Sequence, residues 1–221
     1  VNIDFETVLP SAKSAFVTFM SDLKDAVDAA QPAGKPGHVT VAGPSIDYEG
    51  AYDFDQLLIQ TDGIFIMGYD YHWATSDPGP CAPYSDSEKW GANYSVTWTV
   101  EDYLEWGGVE NRAKIILGLP LYGHVYRVHD ESVPGVNADK TYKEAWSAGL
   151  FEEQAATYGS TWDEAAAAVY LHRELEGHLV QAWNEDLTSI AMKMDLVTQY
   201  DLGGVGFWAL GYEVGDGSFW E

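Results

Sequence analysis

Short apolar runs at 39–42, 63–71, 115–119 and 205–210 alternate along this chain with segments of helical spacing. Residues 1–6 add a run with a period of two. Val1, Ile3 and Phe5 share one face, and Asn2, Asp4 and Glu6 share the other. A half-buried surface strand alternates in the same way, so by itself this stretch predicts a strand and nothing more. Helical spacing is found at 11–30, where Ala15, Phe16, Phe19, Leu23, Ala26, Val27 and Ala30 form a stripe, and at 53–59 and 96–106. It returns at 187–200, with Ile190, Met194 and Val197 along one side. Strands this short and apolar, each divided from the next by a helix, predict a parallel sheet covered on both faces, an α/β architecture.

Each predicted strand ends in polar or aromatic side chains just before its loop: Asp4 and Glu6, Tyr69 and Asp70, Tyr122, and Trp208. In a (β/α)8 barrel those strand ends form the active-site face. A doubly wound sheet is the rival, but no Gly-x-Gly-x-x-Gly turn opens a helix here. Residues 122–185 break the rhythm with glycines, aromatics and short alternating pieces at 167–171 and 179–183. They read as a small α+β insertion ahead of the last helix and strand.

Composition removes several function classes. Eleven basic residues face 35 acidic ones, for a net charge of −24, so the surface repels a phosphate backbone and no nucleic-acid partner is expected. The excess is spread along the chain and reads as a solvated acidic surface. No run of eighteen apolar residues exists, so no transmembrane span is predicted. Cys81 is the single cysteine and forbids an intrachain disulfide. It sits in Pro-Gly-Pro-Cys-Ala-Pro with no base beside it in sequence, and no nucleophile is expected there. His172 and His178 are not i, i+4 partners and no cysteine joins them, so neither a metal nor any other cofactor is predicted. The 9 tryptophans and 14 tyrosines supply flat faces that stack on sugars or simply fill a core.

Four segments, in order, resemble glycoside hydrolase family 18, the chitinase-type barrels. The family's fourth-strand signature Asp-x-x-Asp-x-Asp-x-Glu is similar to Asn2-x-Asp4-x-Glu6, with Asn2 where the family has an Asp. The sixth-strand Met-x-Tyr-Asp is matched by Met67-Gly68-Tyr69-Asp70. The seventh-strand Gly-x-Pro-x-Tyr-Gly is matched by Gly118-Leu119-Pro120-Leu121-Tyr122-Gly123. The eighth-strand pattern ending in Trp is matched by residues 203–211, with Trp208. The stretch from Trp183 to Lys193 resembles bacterial members that act on spore cortex or cell wall.

The resemblance implies a (β/α)8 TIM barrel of which the chain supplies strands four to eight. Residues 1–121 would hold strands four to seven, 122–185 the α+β insertion, and 186–221 the last helix and strand eight. The first three strand–helix units, and most of the fourth strand, are expected upstream. The implied partner is an N-acetylglucosamine polysaccharide or oligosaccharide, and the implied location is secreted or cell-envelope.

Asp4 and Glu6 lie about 6.5 Å apart along one face of one strand and approach a sugar from the same side. A nucleophile attacking from the far face is then hard to supply from this pair, whereas ordinary glycosidases flank the bond with two carboxylates. The resemblance implies that the substrate supplies it. Glu6 protonates the leaving oxygen, and the carbonyl oxygen of the sugar's own N-acetyl group attacks the anomeric carbon with net retention. Asp4 holds the acetamido N–H, and Tyr69 and Asp70 hold the same group. Trp208 floors the reacting sugar, while Met67, Tyr71 and Tyr122 line the cleft. A noncatalytic sugar-binding relative and an inactive barrel fragment are the competing readings.

Overall fold

The structure, a computed structural model, describes residues 1–213 and 218–220. In chain order its main elements are β1 (Asn2–Ile3), α1 (Lys13–Ala30), β2 (Thr40–Gly43), α2 (Phe54–Gln60), β3 (Gly63–Met67), α3 (Val96–Gly107) and β4 (Ile115–Pro120). There follow β5 (Tyr122–Arg127), β6 (Glu144–Ser147), α4 (Ala148–Tyr158), β7 (Thr161–Asp163), β8 (Ala168–Leu175), β9 (His178–Asn184), α5 (Leu187–Gln199) and β10 (Gly204–Trp208).

Two five-stranded sheets result, in the orders β1-β2-β3-β4-β10 and β6-β5-β9-β8-β7. In the first, the pairings from β1 through β4 are parallel, with Ile3 opposite Val41, Val41 opposite Ile64, and Ile64 opposite Ile115. The strands expected of a barrel are therefore present in chain order, but they form an open sheet and not a closed barrel. The second sheet is antiparallel throughout. The chain divides into two compact units. Unit 1 comprises Val1–Met67, Thr99–Gly118 and Val197–Gly206; unit 2 comprises Gly68–Trp98, Leu119–Leu196 and Phe207–Glu221.

In unit 1 all of β2 is buried, as are Ile64, Ile66, Ile115 and Leu117. This is the pattern of strands covered on both faces. Helix α1 buries Phe16 and Met20, with Leu23 and Val27 half-buried, so its inner face runs i, i+4, i+7, i+11. Ala15, Ala26 and Ala30, part of the expected stripe, are exposed, and Met20 takes the place of Phe19, which is 40% exposed. The opening strand is also shorter than its alternation suggests. It ends at Ile3, and Val1 and Phe5 are 63% and 52% exposed. Among the described residues it pairs with β2, with Asn2 opposite Thr40 and Ile3 opposite Val41.

One ring fixes the spacing of three strands. A Cβ on Gly118 would lie 2.3 Å from Phe65 Cε1 and 2.4 Å from the Ile66 carbonyl, and one on Gly206 would lie 2.3 Å from Phe65 Cε2. The Phe65 side chain thus fills the space that residues on β4 and β10 leave free. Gly118→Ala is expected to lower stability by about 1–3 kcal/mol through overpacking against atoms that cannot swing away. The check is a lower denaturation midpoint at unchanged m-value.

In unit 2 the antiparallel sheet is buried on both faces. Val125, Val180 and Ala182 pack with Trp146 and with Phe151 of α4. Tyr126, Val128 and Trp183 pack with Trp90 on the other side. Helix α4 is capped by Ser147, whose Oγ accepts from Leu150 N at 3.1 Å. The β8–β9 hairpin turns at Glu176-Gly177, both with positive φ, as a two-residue loop requires. Trp183, a candidate sugar platform by composition, is fully buried in this core. Unit 2 also holds a buried ion pair. Lys193 of α5 donates to Glu185 and, at 2.9 Å, to the Ala167 carbonyl, and both charged side chains are at most 1% exposed.

Candidate active site

Unit 1 contributes the two strand-end carboxylates. Asp4 and Glu6 follow β1 and are exposed. The backbone between them is held by Tyr52, whose hydroxyl donates to the Phe5 carbonyl at 2.5 Å. Tyr52 is itself placed by Asp47, whose carboxylate accepts from Ala51 N and Tyr52 N at 3.0 and 2.8 Å. Burial, then the negative charges of Asp47, Glu6 and Asp4, push the Tyr52 phenol up to about 12, so it remains a donor across the working pH range. Phe5 lies beyond the strand, stacks on Phe19 and meets Phe16 at a tilt, with centroids 5.7 and 6.0 Å away. Asp4 and Glu6 thereby share an open groove of about 620 Å³ with Phe5, Leu9, Phe16 and Phe19. Two acids beside an aromatic wall suit a ligand with one polar edge and one apolar face, such as a pyranose ring. Met67 closes β3 in the same unit, half-buried and opposite Gly118.

Unit 2 carries a second cluster. Asp70 has φ +59°, so the chain leaves the extended conformation there, and the strand expected over 63–71 stops at Met67. Short polar Asp tolerates this left-handed region better than most residues. Asp70 Oδ1 accepts from the Tyr122 hydroxyl at 2.7 Å, lies 2.9 Å from His124 Nε2, and accepts from the Cys81 thiol at 3.4 Å. The thiol sulfur in turn accepts from Asp70 N at 3.4 Å. Tyr122 and His124 are two apart on β5, so the pleat sends both to one face, where their rings meet edge-on at 5.6 Å. Tyr69 is half-buried and meets Tyr122 at 6.0 Å.

Burial alone would raise the Asp70 carboxyl. Contacts with His124, Tyr122 and Cys81 outweigh it and hold the group below the ordinary carboxylate value. Burial, then the neighbouring Cys81 and Asp70, drive the Tyr122 phenol far up, so it stays protonated and donating. The Cys81 thiol is pushed well above its usual value, first by burial and next by the Asp70 charge. A carboxylate does stand beside Cys81, although its local sequence shows none. The thiol so placed is a hydrogen-bond donor rather than a nucleophile.

The other expected site residues divide. Trp208, at the end of β10, is 53% exposed and its carbonyl accepts from Leu121 N at 2.7 Å. Its ring therefore has a free face. Tyr71, expected to line a cleft, is only 2% exposed; its backbone N–H is tied to the Cys81 carbonyl at 3.0 Å, and its ring is part of the core of unit 2. Sequence reasoning misses His124 and Tyr52. His124 could be found as the residue two beyond Tyr122 on the same strand face, whereas nothing local marks Tyr52. Asp70, Cys81 and His124 come from three segments distant in sequence, yet one donor atom from each lies within 4.8 Å of the others.

Among curated relatives, YdhD of Bacillus subtilis (strain 168), a glycosylase by name, is 29% identical over 216 residues, 95% of this chain and 46% of that protein. The chain spans about half the length of the curated relatives it matches. Among solved structures, a chitinase from Chromobacterium violaceum is 27% identical with a TM-score of 0.76, over 99% of this chain and 63% of that one. Human YKL-39, described as a pseudo-chitinase that retains chitooligosaccharide binding, shares the fold with a TM-score of 0.84 at 16% identity, over 96% of this chain and 62% of its own. The family description "Glycosyl hydrolases family 18" matches residues 1–213, and on that match the chain belongs to this family.

Proposed function

We propose that this protein is a glycoside hydrolase that cleaves β-1,4 links in N-acetylglucosamine-containing polymers, chitin or a related wall polymer, by a substrate-assisted retaining mechanism. The observation that carries the reading is the pair Asp4 and Glu6, exposed together in one groove with an aromatic wall. Glu6 is the general acid that protonates the leaving oxygen and later takes a proton from the incoming water. The acetamido oxygen of the substrate attacks the anomeric carbon, so no second protein nucleophile is needed. Asp4 holds the acetamido N–H and balances the positive charge of the cyclic intermediate. Tyr69 and Asp70 bind the same acetamido group, with Asp70 kept ionised by its donors. Trp208 offers the apolar floor under the sugar, and Met67 and Tyr122 shape the site around it. In this reading residues 122–185 are an insertion between barrel strands seven and eight, and the enzyme works outside the cell or in its envelope. Among the described residues no helix is long and apolar enough to cross a membrane.

A protein that shares this fold is described as a pseudo-chitinase with retained chitooligosaccharide binding, and sugar binding without cleavage is the competing outcome. Hydrolysis of a fluorogenic N-acetylglucosamine oligomer by the protein and by Glu6→Gln separates the two. Cleavage that disappears in the variant while oligomer binding persists supports the enzyme. Equal signals from both proteins would defeat the assignment of Glu6.

A further inference from the structure

We propose that Asp70, Cys81 and His124 form a binding site for a thiophilic divalent cation of the Zn²⁺ class, and that its occupancy switches the sugar site off. Carboxylate, thiolate and imidazole are the three donor types that Zn²⁺ takes from proteins, and three protein ligands with one open position are a common arrangement. Bond lengths of about 2.0–2.3 Å at tetrahedral angles put donor atoms about 3.3–3.6 Å apart. Here Asp70 Oδ1 is 2.9 Å from His124 Nε2 and 3.4 Å from Cys81 Sγ, and the three donors fall within 4.8 Å of one another. The two Asp70 distances lie within a few tenths of an ångström of that range, and Cys81 and His124, within 4.8 Å of each other, would draw together by up to about 1 Å around the ion.

Without an ion the thiol touches the Asp70 carboxylate and the Asp70 N–H, both at 3.4 Å, and His124 Nε2 faces Asp70 Oδ1. Cys81 and His124 are buried, while the Asp70 side chain is 47% exposed and offers the entry path and the open position. Tyr122 already donates to Asp70 and would stay as an outer partner orienting the carboxylate.

Binding exchanges protons for the cation. The thiol proton leaves to solvent as the S–Zn bond forms, and the proton that Nε2 directs at Asp70 is given up from Nε2, leaving a neutral ring protonated on Nδ1, as Nε2 takes the cation. No electron moves. Asp70 would then be committed to the cation and lost to the acetamido group. This second half of the inference rests on the proposed function, whereas cation binding itself does not.

Co²⁺, which reports thiolate ligation by absorbance, is the probe. Titration of the protein is expected to raise a near-ultraviolet sulfur-to-cobalt charge-transfer band together with intense visible bands of tetrahedral geometry. Cys81→Ser, shown folded by circular dichroism, is expected to lose the charge-transfer band and bind at least about 10- to 100-fold more weakly, since loss of an outer partner alone costs that much. His124→Ala is expected to weaken binding similarly. Absence of the band in the wild type, or undiminished Co²⁺ binding by Cys81→Ser, would overturn the site. Zn²⁺ at a concentration that displaces the cobalt signal is expected to stop oligomer cleavage by the wild type and to leave Cys81→Ser at its metal-free rate. Undiminished wild-type cleavage with the site filled would overturn the switch. A metal-free protein that cleaves nothing counts instead against the proposed function, and the cobalt spectrum still reads the site.

Discussion

Glu6→Gln is expected to reduce cleavage of an N-acetylglucosamine oligomer roughly 100- to 10,000-fold, the usual contribution of a positioned general acid. The side chain keeps its size and loses only the transferable proton. The groove of Asp4, Phe5 and the α1 aromatics should therefore still bind sugar. The loss should fall on kcat with KM little changed, because the interaction removed is one made in the transition state. Asp4→Asn is a useful contrast, since it removes charge balance for the intermediate but leaves the acid in place. Steady-state kinetics of the two variants, with oligomer affinity measured separately by calorimetry, checks this. A Glu6→Gln protein that cleaves at the wild-type rate would remove Glu6 as the acid.

The largest effect on stability is expected from Lys193→Met, about 3–5 kcal/mol, because the change strands Glu185. Glu185 and Lys193 are 1% and 0% exposed, and among the described residues Glu185 Oε1 has no partner. Burial already raises the Glu185 carboxyl against the pull of Lys193. With the ammonium gone, the carboxylate must take up a proton or open the core. The Ala167 carbonyl loses its donor as well, at a position where φ is +48°. The double variant Lys193→Met with Glu185→Leu should recover much of the loss, since a well-packed apolar pair often matches a buried ion pair. Denaturant unfolding of the three proteins tests this; a fully stable single variant would show that the pair adds nothing beyond its packing.

The strand order is readable in the sequence because each parallel strand is an unbroken apolar run followed by a helical stripe, and burial on both faces writes that pattern locally. Some strand ends are readable for the same reason: Asp70 and Trp208, both exposed, follow or close apolar runs where the chain leaves the core. Edges and registers are not. The opening run looks like a full strand, yet its pairing with β2 ends at Ile3 and Phe5 packs against Phe16 and Phe19. Helix α1 carries enough apolar residues for two stripes, and packing chose the one through Met20. The β8–β9 hairpin reads as two separate pieces because its turn is Glu-Gly, a weaker signal than Asn-Gly or Asp-Gly. The meeting of Asp70 with Cys81 and His124 joins residues 11 and 54 positions apart, and only the tertiary fold brings them together.

The central claim is that the nucleophile belongs to the substrate. It is tested most directly by kcat for an N-acetylglucosamine oligomer against its N-trifluoroacetyl counterpart. Fluorine withdraws electrons from the amide carbonyl and weakens it as a nucleophile, while the sugar ring, the linkage and the groups that bind them stay in place. A substrate-borne nucleophile predicts a marked fall in kcat with KM nearly unchanged. Equal kcat for the two substrates would place the nucleophile on the protein and contradict the assignment of Asp4 and Glu6 as acid and helper.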